Sequence, residues 1–125
     1  MATPKRLACH GSEAGVDPAI LDLAHLRQYT LSDNRLECEL LNLFRGQLPV
    51  LVKQLEAAAS DAEWKIAAHT LKGSARAIGA TALAAAAVGL EAPEVLRQAK
   101  RKRVRIRALE RLISRFEREI SAILP

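Results

Sequence analysis

Aromatic residues, cysteines and long apolar runs are all scarce in this sequence. Phe, Trp and Tyr make up 3% of the 125 residues, whereas hydrophobic residues make up 50%. Leucine and alanine therefore supply most of the apolar side chains, a composition that favours a helical bundle over a β-sandwich. No apolar run approaches the ~18 residues that a membrane-spanning helix needs, so we expect no membrane partner.

The scarcity of cysteine bears on the compartment of the protein. Cys9 and Cys38 match no metal-ligand or redox spacing, and we expect two reduced thiols in a cytoplasmic protein. Residues 1–15 start with basic residues but lack the apolar stretch of a signal peptide, and we expect a disordered lead-in there. The length suits a single domain, which we expect to span residues 16–125.

The first two predicted helices are defined by capping residues and leucine spacing. Asp17 as N-cap, with Pro18 at the first helical position, predicts the start of a short first helix. Ser32 or Asp33 is expected to cap a long second helix that Pro49 bends without ending it. The face of that helix predicted to be buried has apolar residues three or four apart: Leu36, Leu40, Leu43, Phe44, Leu48, Leu51 and Leu55.

Three further helices follow the same reasoning. The third is expected to begin near Ser60 or Asp61 and to end at Gly79 as a left-handed cap. Thr81 is a candidate cap for the fourth, and Pro93 is expected to terminate it. The predicted buried positions are Trp64, Ala68, Leu71, Ala75 and Ile78 in the third helix, Leu83, Ala87 and Leu90 in the fourth, and Ile106, Leu109, Ile113, Phe116 and Ile120 in the last.

No segment of the sequence has the alternating pattern of a strand. We therefore predict an all-α fold, an up-and-down antiparallel four-helix bundle with a short additional N-terminal helix.

A polar face of the third helix carries a candidate reactive residue and its neighbours. His69, Lys72, Gly73 and Arg76 lie roughly 130° from the buried stripe, at 100° per residue. A neutral imidazole there offers a nucleophilic nitrogen, and Lys72 can balance the charge of a phosphoryl group on the ring. Gly73 costs on the order of 1 kcal/mol relative to alanine, but it lets another surface approach the ring closely. The face predicts a histidine that a macromolecule approaches closely while the ring carries negative charge.

The segments AHTLKGSARAIGA (residues 68–80) and LAAAAVGLE (residues 83–91) resemble the signature of histidine-containing phosphotransfer (HPt) domains. The resemblance extends to DPAILDLAHL and LLNLFRGQLPVLVKQLEAA, and so covers most of the chain up to about Glu91. It implies that His69 accepts and donates the phosphoryl group and that Lys72 neutralises its charge. It also implies that Gly73 leaves room for a receiver domain.

The resemblance assigns three more residues and the partners. Glu91 is expected to hydrogen-bond the ring nitrogen that is not phosphorylated, which would fix the tautomer. Ser74 is expected to border the docked partner or to hydrogen-bond back along its helix, and Arg76 is expected to lie at the rim. The implied partners are receiver domains of response regulators and a hybrid histidine kinase. The chain itself is expected to be a monomer that needs no cofactor, because the receiver brings Mg²⁺.

The spacing of the glycines argues against an ATP site of the chain's own. Gly73 and Gly79 are too far apart for a Walker loop, and no Lys-Ser or Lys-Thr follows Gly79. We therefore expect a phosphorelay intermediate and not an enzyme with autonomous turnover.

A basic run leaves other functions open. From Arg97 to Arg107 the sequence has seven lysines and arginines and no acidic residue. The run can steer docking toward an acidic receiver pocket, or it can serve another partner. One alternative is a basic helical module for nucleic acid, against which the scarcity of aromatic residues argues, so we expect no nucleic-acid partner. Two others are a scaffold or kinase inhibitor without transfer, and a metal or hydrolytic site at His69.

Overall fold

The computed structural model describes residues 16–124, which form six helices and no strand. The helices are α1 (Leu23–Thr30), α2 (Asn34–Ala57), α3 (Asp61–Ile78), α4 (Thr81–Leu90), α5 (Pro93–Leu96) and α6 (Ala99–Ser121). The predicted all-α fold is confirmed for these residues. The expected lead-in, residues 1–15, lies outside the part of the chain that the structure describes.

The first helix begins later than predicted, and Asp17 does not cap it. The helix starts at Leu23, with Asp22 as its N-cap. The Asp17 carboxylate instead accepts the N–H of Ala19 at 2.9 Å, within a turn. Tertiary hydrogen bonds fix this segment, since the Asp22 N–H donates to the carbonyl of Gly79 at 2.8 Å and the Ala19 carbonyl accepts from α4. The chain is therefore held in turns up to Asp22, where the helix can begin.

The predicted buried face of α2 is wrong at two positions, and a third, Leu40, is only half-buried. Leu36 and Leu43 are 37% and 71% exposed, whereas Leu41, which was not predicted, is buried. The core side of α2 at its amino end also carries Glu37, whose carboxylate accepts the hydroxyl hydrogen of Thr30 at 3.0 Å. This contact with α1 turns the side of α2 that holds Glu37 and Leu41 inward, and Leu36 and Leu43 consequently face outward.

Most of the other helix predictions are confirmed. Asp33 caps α2, which continues through Pro49 without interruption. Two predictions for α4 are wrong. Thr81 does not cap this helix, because its hydroxyl donates to the carbonyl of Ala19 at 2.6 Å. Pro93 begins α5 instead of ending α4, whose last residue is Leu90. All the buried positions predicted in α3 and α4 are confirmed, as are those in α6 apart from the half-buried Ile113.

Helix α3 lies at the centre of the arrangement. Its most extensive contacts are with α4 and α2, while α6 packs against α2, α4 and α5. The Trp64 indole donates to the carbonyl of Leu90 at 2.7 Å, and Phe44 meets Phe116 edge-to-face at 5.3 Å between ring centroids. No helix within residues 16–124 combines the length and apolarity needed to cross a membrane. The packing covers one side of α3 and leaves the other in solvent.

Candidate functional site

The candidate site lies on α3, and both ends of this helix are fixed by local hydrogen bonds. The Ser60 hydroxyl accepts the N–H of Glu63 at 3.2 Å, and the Glu63 carboxylate accepts the N–H of Ala59 at 2.9 Å. These bonds satisfy amides at the start of the helix. At the other end Gly79 has a φ of 89° and donates its N–H to the Ala75 carbonyl at 3.0 Å. Residues between these caps are consequently held on a regular helix.

His69 is exposed on the solvent side of this helix. Its neighbour Ala68 is fully buried, and Leu71 is also buried, so the helix register turns the imidazole away from the core. Among the contacts of residues 16–124, no hydrogen bond or ion pair involves the ring. The prediction that His69 points away from the core is confirmed. The exposed ring is thus accessible to a partner molecule.

Gly73 lies one turn after His69 and is also exposed. A Cβ atom built at this position meets no other atom within 4 Å. The packing of the described residues therefore does not require glycine here, although glycine lowers the stability of a helix interior. A surface that approaches from outside the molecule gives a physical reason for the missing side chain.

Lys72 and Glu91 meet beside the histidine. The Lys72 ammonium lies 3.3 Å from the Glu91 carboxylate, and the two side chains are 21% and 27% exposed. The hydrogen bond expected between Glu91 and the imidazole is not among those of the described residues, where the carboxylate bonds to Lys72 instead. The structure therefore brings together Lys72 and Glu91, one turn from His69.

Ser74 and Arg76 differ in their burial on α3. Ser74 is half-buried, and its hydroxyl takes part in none of the hydrogen bonds of residues 16–124. The hydroxyl that bonds back along α3 belongs to Thr70, which donates to the Ile66 carbonyl at 2.9 Å. Arg76 is exposed and borders a crevice of about 500 Å³ that His25 also lines. At 100° per residue, Arg76 lies within about 20° of His69 around α3 and shares its exposed face, whereas Ser74 lies about 140° from His69 and off that face.

Sequence reasoning missed an apolar residue in this site. Ile66 lies one turn before His69 and is 67% exposed, although isoleucine is usually buried. The available signal was its position outside the buried stripe of α3, on the same side as His69 and Gly73. Ile66 adds an apolar patch beside the imidazole, a common property of surfaces that bind proteins.

No group of three or more histidine, cysteine, aspartate and glutamate side chains in the described part of the chain could hold a metal ion. The geometry around His69 therefore consists of one exposed imidazole, an adjacent ion pair, an open glycine position and an apolar neighbour.

Comparison with known families agrees with this geometry. A family model described as Hpt domain matches residues 39–124, more than half of the chain. Comparison with curated proteins and with solved structures finds no match. Hpt domains transfer phosphoryl groups through a histidine in phosphorelays, interact with receiver domains and act as intermediates without autonomous turnover. The extent of the match and the exposed histidine on α3 place this chain in the Hpt domain family.

Proposed function

We propose that this protein accepts a phosphoryl group on His69 from the aspartyl phosphate of one receiver domain and passes it to another. The observation that carries the proposal is the exposed imidazole one turn from Gly73, where a Cβ would meet no atom within 4 Å. A receiver must bring its aspartate to the ring, and Gly73 offers no side chain that obstructs it.

The transfer is an in-line displacement at phosphorus. The lone pair of an imidazole nitrogen forms the N–P bond while the P–O bond to the receiver aspartate breaks, and the carboxylate leaves with the electron pair. The proton of the other ring nitrogen passes to solvent. Catalysis depends on positioning and on stabilising the charge of the phosphoryl oxygens. The receiver supplies Mg²⁺ for this purpose, and no cofactor is needed from this chain.

Lys72 is the second source of positive charge. The Glu91 carboxylate at 3.3 Å holds the ammonium near the histidine before the phosphoryl group arrives. A phosphoryl group on the ring then competes with Glu91 for Lys72. This contact supports a role for Glu91 in positioning Lys72, whereas the family resemblance suggests that Glu91 orients the ring. The two roles differ in their effect on transfer.

The partner surface extends beyond the reacting atoms. Ile66 supplies an exposed apolar contact, and Arg76 lies on the same exposed face two turns after His69, whereas Ser74 lies off this face. We propose that receiver domains, including that of a hybrid histidine kinase, dock on this face. We further propose that the protein is a cytoplasmic monomer, and that the long helices form an antiparallel up-and-down bundle.

The direct test is transfer of labelled phosphate. A receiver domain phosphorylated with ³²P on its aspartate is incubated with the protein and Mg²⁺, and the label on the protein is followed in acid and in base. Because the phosphoramidate bond of phosphohistidine is acid-labile and base-stable, we expect the label to disappear in acid only. His69→Gln should abolish labelling.

His25→Gln is the matched control, because His25 is a half-buried histidine on a different helix, α1. It should be labelled as the unchanged protein is. Label that persists in His69→Gln, or a protein that binds receivers without gaining phosphate, would refute the transfer function and favour a scaffold or kinase inhibitor.

A further inference from the structure

A cleft of about 670 Å³ lies at the amino end of α6, where α6 meets the end of α2, the start of α3 and α5. Leu55, Trp64 and Ile106 form an apolar floor, and all three are buried. Cations line the cleft around this floor: Arg97, Lys102, Arg103 and Arg107. We call this the basic cleft. Its volume lies within the roughly 300–1,000 Å³ of typical ligand sites.

The basic cleft does not belong to the site around His69. Trp64 and His69 are five residues apart on α3, which separates their directions by about 140° around the helix. A molecule bound over Trp64 therefore leaves the imidazole uncovered. The phosphotransfer proposed above gives the cleft no role.

The charge at this end of α6 disfavours folding. A helix amino terminus carries a partial positive charge, and lysines and arginines there raise the free energy of the folded state. Yet α6 has no acidic residue in its first turn, and its N-cap Gln98 makes no side-chain capping bond. Arg103 and Arg107 also repel each other across one helical turn. Apart from Lys102, which contacts Asp61 and Trp64, the cations that line the cleft form no ion pair within residues 16–124, so their charge points to an external anionic partner.

Nearby carboxylates offset only part of this charge. Lys102 lies 3.0 Å from Asp61 and 5.1 Å from the centroid of the Trp64 ring. Glu56 and Glu110 line one side of the basic cleft and also line a neighbouring crevice. Arg97, Arg103 and Arg107 are exposed and have no ion pair with any residue of 16–124. Three cations around an apolar floor are thus available to a ligand.

We propose that the basic cleft binds an acidic peptide segment of a partner protein, in which an apolar side chain fills the cleft between flanking carboxylates. Ala58 and Leu96 also line the cleft and are half-buried, so they offer apolar surface to the anchor residue above the buried floor, and the exposed arginines match the carboxylates. Lys100 is exposed one turn before Arg103 and continues the charge beyond the cleft, so an extended anionic chain makes more contacts than a small ligand does.

The same features argue against nucleic acid and membrane as the occupant. Phosphates gain nothing from a recessed apolar floor, and Trp64 is 1% exposed and offers no face for base stacking. A flat lipid surface cannot reach side chains that lie at the bottom of a cleft. The occupant must combine negative charge with a projecting apolar group.

The test uses the full chain and a short synthetic peptide of glutamate and aspartate around a Leu-Phe pair. Trp64 is the single tryptophan of the chain and lies on the cleft floor, so its fluorescence reports binding. We expect saturable binding that weakens with salt and is unchanged in His69→Gln. A peptide of equal charge with serine in place of the Leu-Phe pair should bind at least about tenfold more weakly.

A matched pair of double variants separates the cleft from general electrostatic attraction. Arg103→Glu with Arg107→Glu reverses cleft charges and should weaken binding about tenfold or more. Arg101→Glu with Arg105→Glu changes the net charge equally on the other side of α6, where the Arg105 guanidinium approaches Gly89 of α4. It should weaken binding about threefold at most. Circular dichroism checks folding, and the corresponding glutamine pairs replace any variant that does not fold.

Several results would overturn the proposal. These are absence of peptide binding, equal weakening in both double variants, and equal binding of the serine peptide. Tighter binding of a DNA duplex or of phosphatidylglycerol vesicles than of the peptide would assign the surface to nucleic acid or to membrane.

Discussion

Gly73 gives the sharpest test of the site, because glycine at this position lowers the stability of the helix but is proposed to permit phosphotransfer. Replacing it by alanine removes the conformational cost of a glycine inside a helix, about 0.8–1.0 kcal/mol. The added Cβ meets no atom within 4 Å, so neither a clash nor new packing alters this figure. We therefore expect the free energy of unfolding to rise by about 1 kcal/mol. For a chain of this length that corresponds to about 4 °C in Tm.

Leucine at the same position separates stability from transfer. Its helix propensity is close to that of alanine, so Gly73→Leu should also be more stable than the unchanged protein. Its side chain, however, projects into the space that a receiver must enter. A displacement of the reacting atoms by about 1 Å can cost 10²-fold in rate. We expect phosphotransfer to fall by about that factor while the protein becomes more stable.

Gly46 is the matched control, because it lies inside α2 and its Cβ position is equally open. Gly46→Ala and Gly46→Leu should give the same gain in stability and normal transfer. Thermal unfolding by circular dichroism and transfer from a ³²P-labelled receiver measure the two effects. Normal transfer by Gly73→Leu, or loss of stability in Gly73→Ala, would contradict the argument from open space.

Two further substitutions test contacts at the ends of α3 and α4. Gly79→Ala should destabilise the protein by roughly 2–3 kcal/mol in urea unfolding, because φ is 89° and the new Cβ would lie 2.7 Å from the Asp22 carbonyl oxygen. Glu91→Gln should change the free energy of unfolding by less than about 1 kcal/mol and shift the transfer equilibrium toward the phosphorylated protein, because it releases Lys72. Slower transfer without that shift would instead assign Glu91 to orienting His69.

The buried stripe of α3 could be predicted because local signals agree there. Between Trp64 and Ile78, apolar residues recur at intervals of three and four. The caps at Ser60 and Gly79 are formed by hydrogen bonds to residues three or four positions away in sequence. The same repeat determines that His69 faces outward. The direction of the candidate nucleophile therefore follows from the sequence alone.

Other parts depend on contacts between distant residues. Asp17 and Asp22 are equally good caps by sequence, and hydrogen bonds of the segment to Gly79 and to α4 decide between them. In α2, leucines at adjacent positions point in several directions, and Leu43 can be placed outside only once α1 is known to pack on the side of Glu37.

The ion pair of the site also depends on a contact between residues that are distant in sequence. Lys72 and Glu91 are nineteen residues apart in sequence, and their 3.3 Å contact depends on how α3 packs against the end of α4. Helical spacing places Lys72 beside His69, but it does not reveal which carboxylate reaches it. The sequence therefore predicts the members of the site better than their pairing.

Because Trp64 and His69 point in different directions around α3, one partner molecule could contact the basic cleft and the imidazole at the same time. A polypeptide that carried both an acidic segment and a receiver domain could hold the cleft while its receiver reached the imidazole. The receiver would then meet His69 at an effective concentration in the millimolar range, set by the linker between the two parts. Selection among competing receivers would depend on that tether as much as on complementarity at the histidine.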